Sequence, residues 1–342
     1  MARILIATDA WHPQVNGVVR TLDTTARRLR DWGHAVEVVE PGAFAAVGVP
    51  FYPEIRLALP RPGRVYDRVR RFRPDYVHIS TEGPIGLLVR HFCRRRRWGF
   101  TTSYHTRFPE YLNELAGVPL GPTYRFLRWF HGGAGAVLVA TPSLEKELTA
   151  RGFRPPLRRW SRGVDLTLFH PRPRPAAAHP RPVLLYVGRV SHEKNVEDFL
   201  RLGVPGTKLV VGDGPARAEL ERKYPAAVFL GYRRGAALGE AYAAADVFVF
   251  PSRTDTFGMV VIEAFASGLP VAAYPAMGPI DTVTNDKLGA LDDDLGRAVR
   301  RALETGDPAA CAAEGAGYTW DHCTHQFLTS LVPVSAGPVR RG

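Results

Sequence analysis

Residues 247–268 read VFVFPSRTDTFGMVVIEAFASG. Positions 247–250 form a short apolar run of β-branched and aromatic residues, as in a strand buried within a parallel sheet. A polar loop follows, and Gly258 opens an apolar stretch that suits a helix ending near Gly268. Strand, loop and helix together make one βα unit. Asp255 falls in the loop and Glu263 on the helix, where carboxylates can accept hydrogen bonds from neutral sugar hydroxyls. The amides of Phe257, Gly258 and Met259 at the helix start suit phosphate or sugar oxygens.

The same rhythm extends in both directions. Downstream of a proline-rich stretch, strands are expected at 183–187, 208–211, 228–230 and 271–274. Upstream they are expected at 4–7, 35–39, 76–80, 100–104 and 136–140, with helices such as 18–32 and 142–151 between them. The fold class is therefore α/β, with parallel strands under helices. Residues 169–182 read FHPRPRPAAAHPRP, where proline forbids regular ladders, and this is the expected linker. The domain plan is an N-terminal Rossmann-like domain over 1–168, the linker, and a second Rossmann-like domain over 183–317. A C-terminal helix over 318–334 is free to cross back to the first domain. The chain's 342 residues suit two domains of roughly 150 each.

Composition narrows the function classes. Hydrophobic residues make up 45% and charged residues 23%, too apolar for a disordered chain. There is no apolar run of roughly 18 residues and no basic-then-apolar leader, so a cytoplasmic location is expected. Cys93, Cys311 and Cys323 form no CxxC pair, which suggests neither a disulfide framework nor a zinc site. Net charge is +12, unevenly placed: residues 1–182 hold 29 Lys+Arg against 14 Asp+Glu, and residues 183–342 hold 16 against 19. A basic first half suits an anionic membrane surface or nucleic acid. No recognised nucleic-acid-binding motif accompanies the charge, so no nucleic-acid partner is expected.

In doubly wound sheets, ligands bind beyond the carboxyl ends of the strands. Asn16-Gly17 opens the first helix, where turn chemistry and anion binding share the same residues. Gly188-Arg189, with Lys194 five residues on, puts two cations beside a helix start, as a diphosphate requires. Gly212-Asp213-Gly214-Pro215 lacks the third glycine of a dinucleotide fingerprint, so an NAD site is discounted. Asp292-Asp293-Asp294 precedes a helical run and reads as a cap, while His322-Cys323-Thr324-His325 lacks a second cluster to complete a metal site. No essential metal and no cofactor are expected.

The 252–263 segment resembles the E-x7-E signature of family-4 retaining glycosyltransferases of the GT-B fold, with Asp255 standing where the first glutamate normally lies. Asn16-Gly17, Tyr104-His105-Thr106, Arg162-Gly163-Val164-Asp165 and the Arg189/Lys194 pair extend that resemblance over nearly the whole chain. It implies two Rossmann-like domains facing a cleft. By the same resemblance, Glu263 would bind the ribose, Asp255 the donor sugar, and Arg189 and Lys194 the diphosphate. Gly231 and Tyr232 would lie near the nucleobase and His105 near the transferred sugar. Arg162 replaces a more frequent asparagine and receives no role. The TDAWHPQVNGVVRTL opening and the TDTFG form are similar to a bacterial and plant branch that includes lipid glycosyltransferases and GDP-mannose-dependent mannosyltransferases.

The implied activity is retaining transfer of a hexose from a nucleotide-diphosphate sugar to a membrane lipid such as diacylglycerol. UDP-glucose or UDP-glucuronate is favoured over a GDP-sugar. FCRRRRWGF at 92–100 and YRFLRWFH at 124–131 set arginine beside aromatic rings, a pattern suited to an anionic membrane interface. Peripheral association with the inner face of the cytoplasmic membrane follows. A GDP-mannose-dependent α-mannosyltransferase stands as the alternative; a nucleotide-sugar epimerase or a basic nucleic-acid binder represents the other classes.

Overall fold

The computed structural model describes residues 1–14, 16–49, 52–173 and 179–337. Part of the expected linker, residues 174–178, lies outside the described residues. The chain divides into two compact units, one made of Met1–Arg162 with Trp320–Gly342 and the other of Gly163–Thr319. The division falls at Arg162/Gly163, ahead of the proline-rich stretch.

In the first unit, strands β1 (Arg3–Ala7), β2 (Ala35–Val39), β5 (Tyr76–Ile79), β6 (Thr101–Ser103), β7 (Ala136–Val139) and β8 (Leu157–Arg159) form a parallel sheet in the order β2-β1-β5-β6-β7-β8. β3 (Ala46–Val49) and β4 (Tyr52–Ala58) pair apart from it as an antiparallel hairpin. The first helix, Gly17–Asp31, buries Val19, Leu22, Ala26 and Leu29, which recur at helical spacing along one face. The C-terminal helix Trp320–Ser330 packs on it, with Arg28 Nη1 2.8 Å from Asp321 Oδ1. Gln326 on that helix accepts hydrogen bonds from Ser161 N at 2.7 Å and Ser161 Oγ at 2.8 Å, and Phe327 lies against Trp160. The end of the sequence thereby completes the core of the unit formed by its beginning.

The second unit holds β9 (Val183–Val187), β10 (Thr207–Val211), β11 (Val228–Gly231), β12 (Val247–Phe250), β13 (Val271–Ala273) and β14 (Gly289–Leu291), all parallel, in the order β11-β10-β9-β12-β13-β14. β9 and β12 are buried at every residue, which explains their continuous apolar runs. The order reverses between β9 and β12. A crevice therefore opens beyond their carboxyl ends, because the crossovers leave that point in opposite directions. In the first unit the reversal falls between β1 and β5. No helix among the described residues is long and apolar enough to cross a membrane.

Candidate active site

The switch point of the second unit brings together loops far apart in sequence. After β9, Gly188 turns the chain so that Tyr186 Oη reaches back and donates to Arg189 O at 2.7 Å. A Cβ on Gly188 would stand 2.9 Å from that hydroxyl, so the position needs glycine for close approach. Lys194 sits on a single 3-10 turn, His192–Lys194. Its Nζ donates to Asp255 Oδ2 at 2.8 Å, although 61 residues separate the two. Arg189 Nε lies 3.9 Å from Glu193 Oε1, which also accepts from Ser191 Oγ at 2.7 Å. Burial alone would raise the Asp255 carboxyl, but the Lys194 ammonium, its hydrogen bond and one from Ser252 outweigh burial and hold it below the usual range. The sequence expectation thus gains a geometry: Arg189, Lys194 and Asp255 line one loop cluster.

Gly258 precedes the helix Met259–Ala266 with φ +80°, a left-handed conformation that glycine adopts without a steric penalty. Glu263 lies deeper, 2% exposed, and accepts from Tyr242 Oη at 3.0 Å. Asp255 and Glu263 therefore answer to different partners. Phe257 is buried with its ring against Tyr318, while Met259 stays half-buried. Gly231 ends β11, two strands from the switch point. Tyr232 beside it is 48% exposed, with the Arg234 guanidinium 4.8 Å over its ring. Such an exposed ring can stack on a planar base.

In the first unit, Asn16 Oδ1 accepts from Val19 N at 3.0 Å and so caps the Gly17–Asp31 helix. His105 follows β6 and is buried. Its Nε2 is 2.9 Å from Ser103 Oγ, and its Nδ1 is 3.2 Å from Arg162 Nη2. Burial first, then the positive charge of Arg162, keeps this imidazole far below its ordinary pKa. At the strand reversal, Asp9 accepts from Thr81 Oγ1 at 2.9 Å, Ile85 N at 2.9 Å and Gly86 N at 3.3 Å. Burial nevertheless leaves its carboxyl raised.

Sequence reasoning missed Asp9, Tyr186, Tyr242 and Ser252, and gave Arg162 no part. Asp9 and Ser252 were open to discovery, since both stand just beyond strand ends. Tyr186 and Tyr242 lie inside apolar elements, where nothing distinguishes them from core residues. Asp294 Oδ1 accepts from Arg297 N at 3.0 Å, so the acidic triplet supplies a helix cap. Cys323 Sγ donates to Ser161 O at 3.2 Å, inside the first unit. Among the described residues, no cluster of three or more His, Cys, Asp or Glu could hold a metal ion.

Comparison with known proteins finds family models in both halves of the chain. The model for Glycosyltransferase Family 4 matches residues 15–168, and that for Glycosyl transferases group 1 matches residues 181–305. A GDP-mannose-dependent alpha-mannosyltransferase of Mycobacterium tuberculosis is 33% identical over 84% of this chain and 83% of its own length. An alpha-monoglucosyldiacylglycerol synthase of Streptococcus pneumoniae is 24% identical over 88% of this chain and 78% of its own. Among solved structures, sucrose-phosphate synthase of Thermosynechococcus elongatus superposes with a TM-score of 0.75 over 95% of this chain and 97% of its own, at 21% identity. The GT-B fold and the sequence likeness lead to one conclusion: this chain belongs to the family-4, group-1 glycosyltransferases and is a transferase that uses a nucleotide sugar.

Proposed function

We propose that the enzyme transfers a hexose, with retention of anomeric configuration, from a nucleotide-diphosphate sugar to a lipid in an anionic membrane. The observation that carries this reading is the Arg189, Lys194 and Asp255 cluster at the β9/β12 reversal, with Lys194 Nζ 2.8 Å from Asp255 Oδ2. GDP-mannose takes precedence over the UDP-sugars expected from the sequence, because the 33%-identical relative is named as GDP-mannose-dependent. UDP-glucose or UDP-glucuronate, expected from the sequence, is the second reading; the name of the monoglucosyldiacylglycerol synthase supports a glucosyl group and a diacylglycerol acceptor.

As the anomeric C–O bond breaks, its electron pair leaves with the nucleotide diphosphate and positive charge grows on the sugar. Arg189 and Lys194 stabilise the departing phosphate, and the acceptor hydroxyl attacks from the face that phosphate leaves. The acceptor proton passes to a phosphate oxygen, so no side-chain nucleophile is needed. Asp255, paired with Lys194, binds a sugar hydroxyl. Glu263, oriented by Tyr242, takes the ribose. His105 stands at the transferred sugar.

The acceptor side of the reading rests on the helix Leu120–His131, where Arg125, Phe126, Arg128 and Trp129 are all exposed. Aromatic rings at headgroup depth beside cations suit an anionic lipid surface. The experiment is incubation with radiolabelled GDP-mannose, UDP-glucose and UDP-glucuronate in diacylglycerol-containing vesicles. Labelled lipid whose new anomer matches the donor is the expected product. Inverted product, or label that stays water-soluble with every donor, would reject the proposal.

A further inference from the structure

Arg162 is 6% exposed and spans 57 residues of sequence to reach His105. A guanidinium has donors and no acceptor, so the 3.2 Å contact from Arg162 Nη2 makes His105 Nδ1 an acceptor without a proton. His105 is neutral, so its proton sits on Nε2 and is donated to Ser103 Oγ at 2.9 Å. The Ser103 hydroxyl then donates to His78 Nε2 at 3.1 Å. His78, pushed down to about 3 by burial, keeps its proton on Nδ1 and gives it to Thr101 Oγ1 at 3.0 Å. Thr101 Oγ1 donates in turn to Val77 O at 3.4 Å. Each proton in this chain has one place, and the polarity is set at the guanidinium end.

Arg162 is itself fixed, because Nη1 donates to Trp160 O at 2.8 Å and Ser161 O at 3.0 Å. Those carbonyl dipoles compensate part of its charge on the side away from His105. The other titratable groups around His105 are His78 and His131. His131 is held between Thr102 Oγ1 at 2.8 Å and Glu82 Oε1 at 3.2 Å. Cys323, beside Arg162, stays a thiol, with burial pushing it up to about 11.

We propose that Arg162 is a positioning residue for sugar transfer, which locks His105 as the Nε2–H tautomer by occupying Nδ1. This rests on the reading that His105 stands at the transferred sugar. A flipped tautomer would set a proton on Nδ1 against the guanidinium and reverse the Ser103 bond, taking the hydroxyl proton away from His78 Nε2.

The test uses the full chain labelled with [15N]histidine, with the His105 imidazole signals identified by their loss in His105→Gln. The wild type is expected to show His105 as Nε2–H from about pH 6 to 8. In Arg162→Met burial should keep the ring neutral while the Nδ1–H tautomer becomes populated, and kcat should fall roughly tenfold to a hundredfold while donor KM changes little. Arg162→Lys, which restores a charge and a donor, should return the ring to Nε2–H and recover most of kcat. Should Arg162→Met not fold, Ser103→Ala leaves Arg162 in place and must still show an unprotonated Nδ1. An active wild type with His105 as Nδ1–H or imidazolium would overturn this role alone, as would an Arg162→Met variant whose ring stays wholly Nε2–H. A wild type that transfers no sugar from any nucleotide sugar, with the tautomer as expected, would overturn the transfer reading and this role with it.

Discussion

Lys194 Nζ and Asp255 Oδ2 stand 2.8 Å apart, so the cation assigned to the diphosphate and the carboxylate assigned to the sugar hold each other before a donor arrives. The pairing follows from topology. β9 and β12 are neighbours in the sheet, and the loops that leave their carboxyl ends must meet. Preorganised charges of this sort stabilise a departing phosphate without reorganising during the reaction.

Removing the cation should be costly for turnover and pH-dependent for stability. Lys194→Ala is expected to lower kcat by roughly a hundredfold to a thousandfold, the usual cost of deleting one charge-stabilising donor. Asp255 has a depressed pKa in the fold, so its pairing stabilises at pH values above the unfolded carboxyl's 3.8 and is lost as pH falls through the folded value. Urea unfolding should therefore separate wild type from Lys194→Ala at pH 7 and show the two converging toward pH 3. A gap that stays constant over this range would argue against the pairing.

Gly212 offers a test of backbone geometry beside the same loops. Its φ is +144°, and a Cβ there would lie 1.8 Å from Gly188 O. No side chain can yield, since the clash is with backbone. Gly212→Ala should destabilise by about 3 kcal/mol through strain and overpacking. Gly63, in the helix Pro62–Phe72, would place a Cβ in open space, so Gly63→Ala should stabilise by about 0.5 kcal/mol. Equal effects from the two substitutions, read by chemical denaturation, would refute the close approach.

The first unit should lose stability in mild acid. His78 has its pKa lowered from 6.5 to about 3 by burial, and His105 is also held low. Between those values the unfolded chain binds a proton that the folded chain refuses, so stability falls as pH drops from 6.5 toward 3. Each histidine contributes a slope of up to about 1.4 kcal/mol per pH unit. His78→Gln should remove one proton's worth of that slope in denaturation curves recorded over this range, whatever it does to absolute stability.

These relationships were unequally legible in the sequence. The βα rhythm, Gly258 and Glu263 could be read because each is decided by neighbours within a turn or a strand. The β3/β4 hairpin gave no comparable signal, since two short segments outside the main sheet carry no extended periodicity. The Arg162–His105 contact was invisible for another reason. It depends on β8 and β6 lying on either side of β7, and on a C-terminal helix that returns to seat Gln326 against Ser161. Sequence suggests which residues follow strands; strand order decides which of them meet. Asp255 and Lys194 were each singled out, but their ion pair is a property of the β9/β12 adjacency.

The membrane reading can be tested on the helix Leu120–His131, whose end is fixed by Arg90. Arg90 Nε donates to Phe130 O at 2.7 Å and Nη2 to Trp129 O at 2.6 Å, placing a cation at the helix C-terminus where the dipole favours it. Its guanidinium also lies 3.9 Å from the centre of the Trp129 ring, which remains 45% exposed. Trp129 is thus held in place on a surface it shares with Phe126, Arg125 and Arg128. Each arginine near an anionic bilayer contributes about 1 kcal/mol, so Arg125→Gln with Arg128→Gln should weaken vesicle binding roughly thirtyfold at low salt. Phe126→Ser with Trp129→Ser should weaken binding in a way that salt does not reproduce, because ring insertion is not screened. Sedimentation with vesicles of graded anionic content separates the two effects. Wild-type protein that stays in the supernatant at every composition would remove the membrane from the account and leave a soluble acceptor in its place.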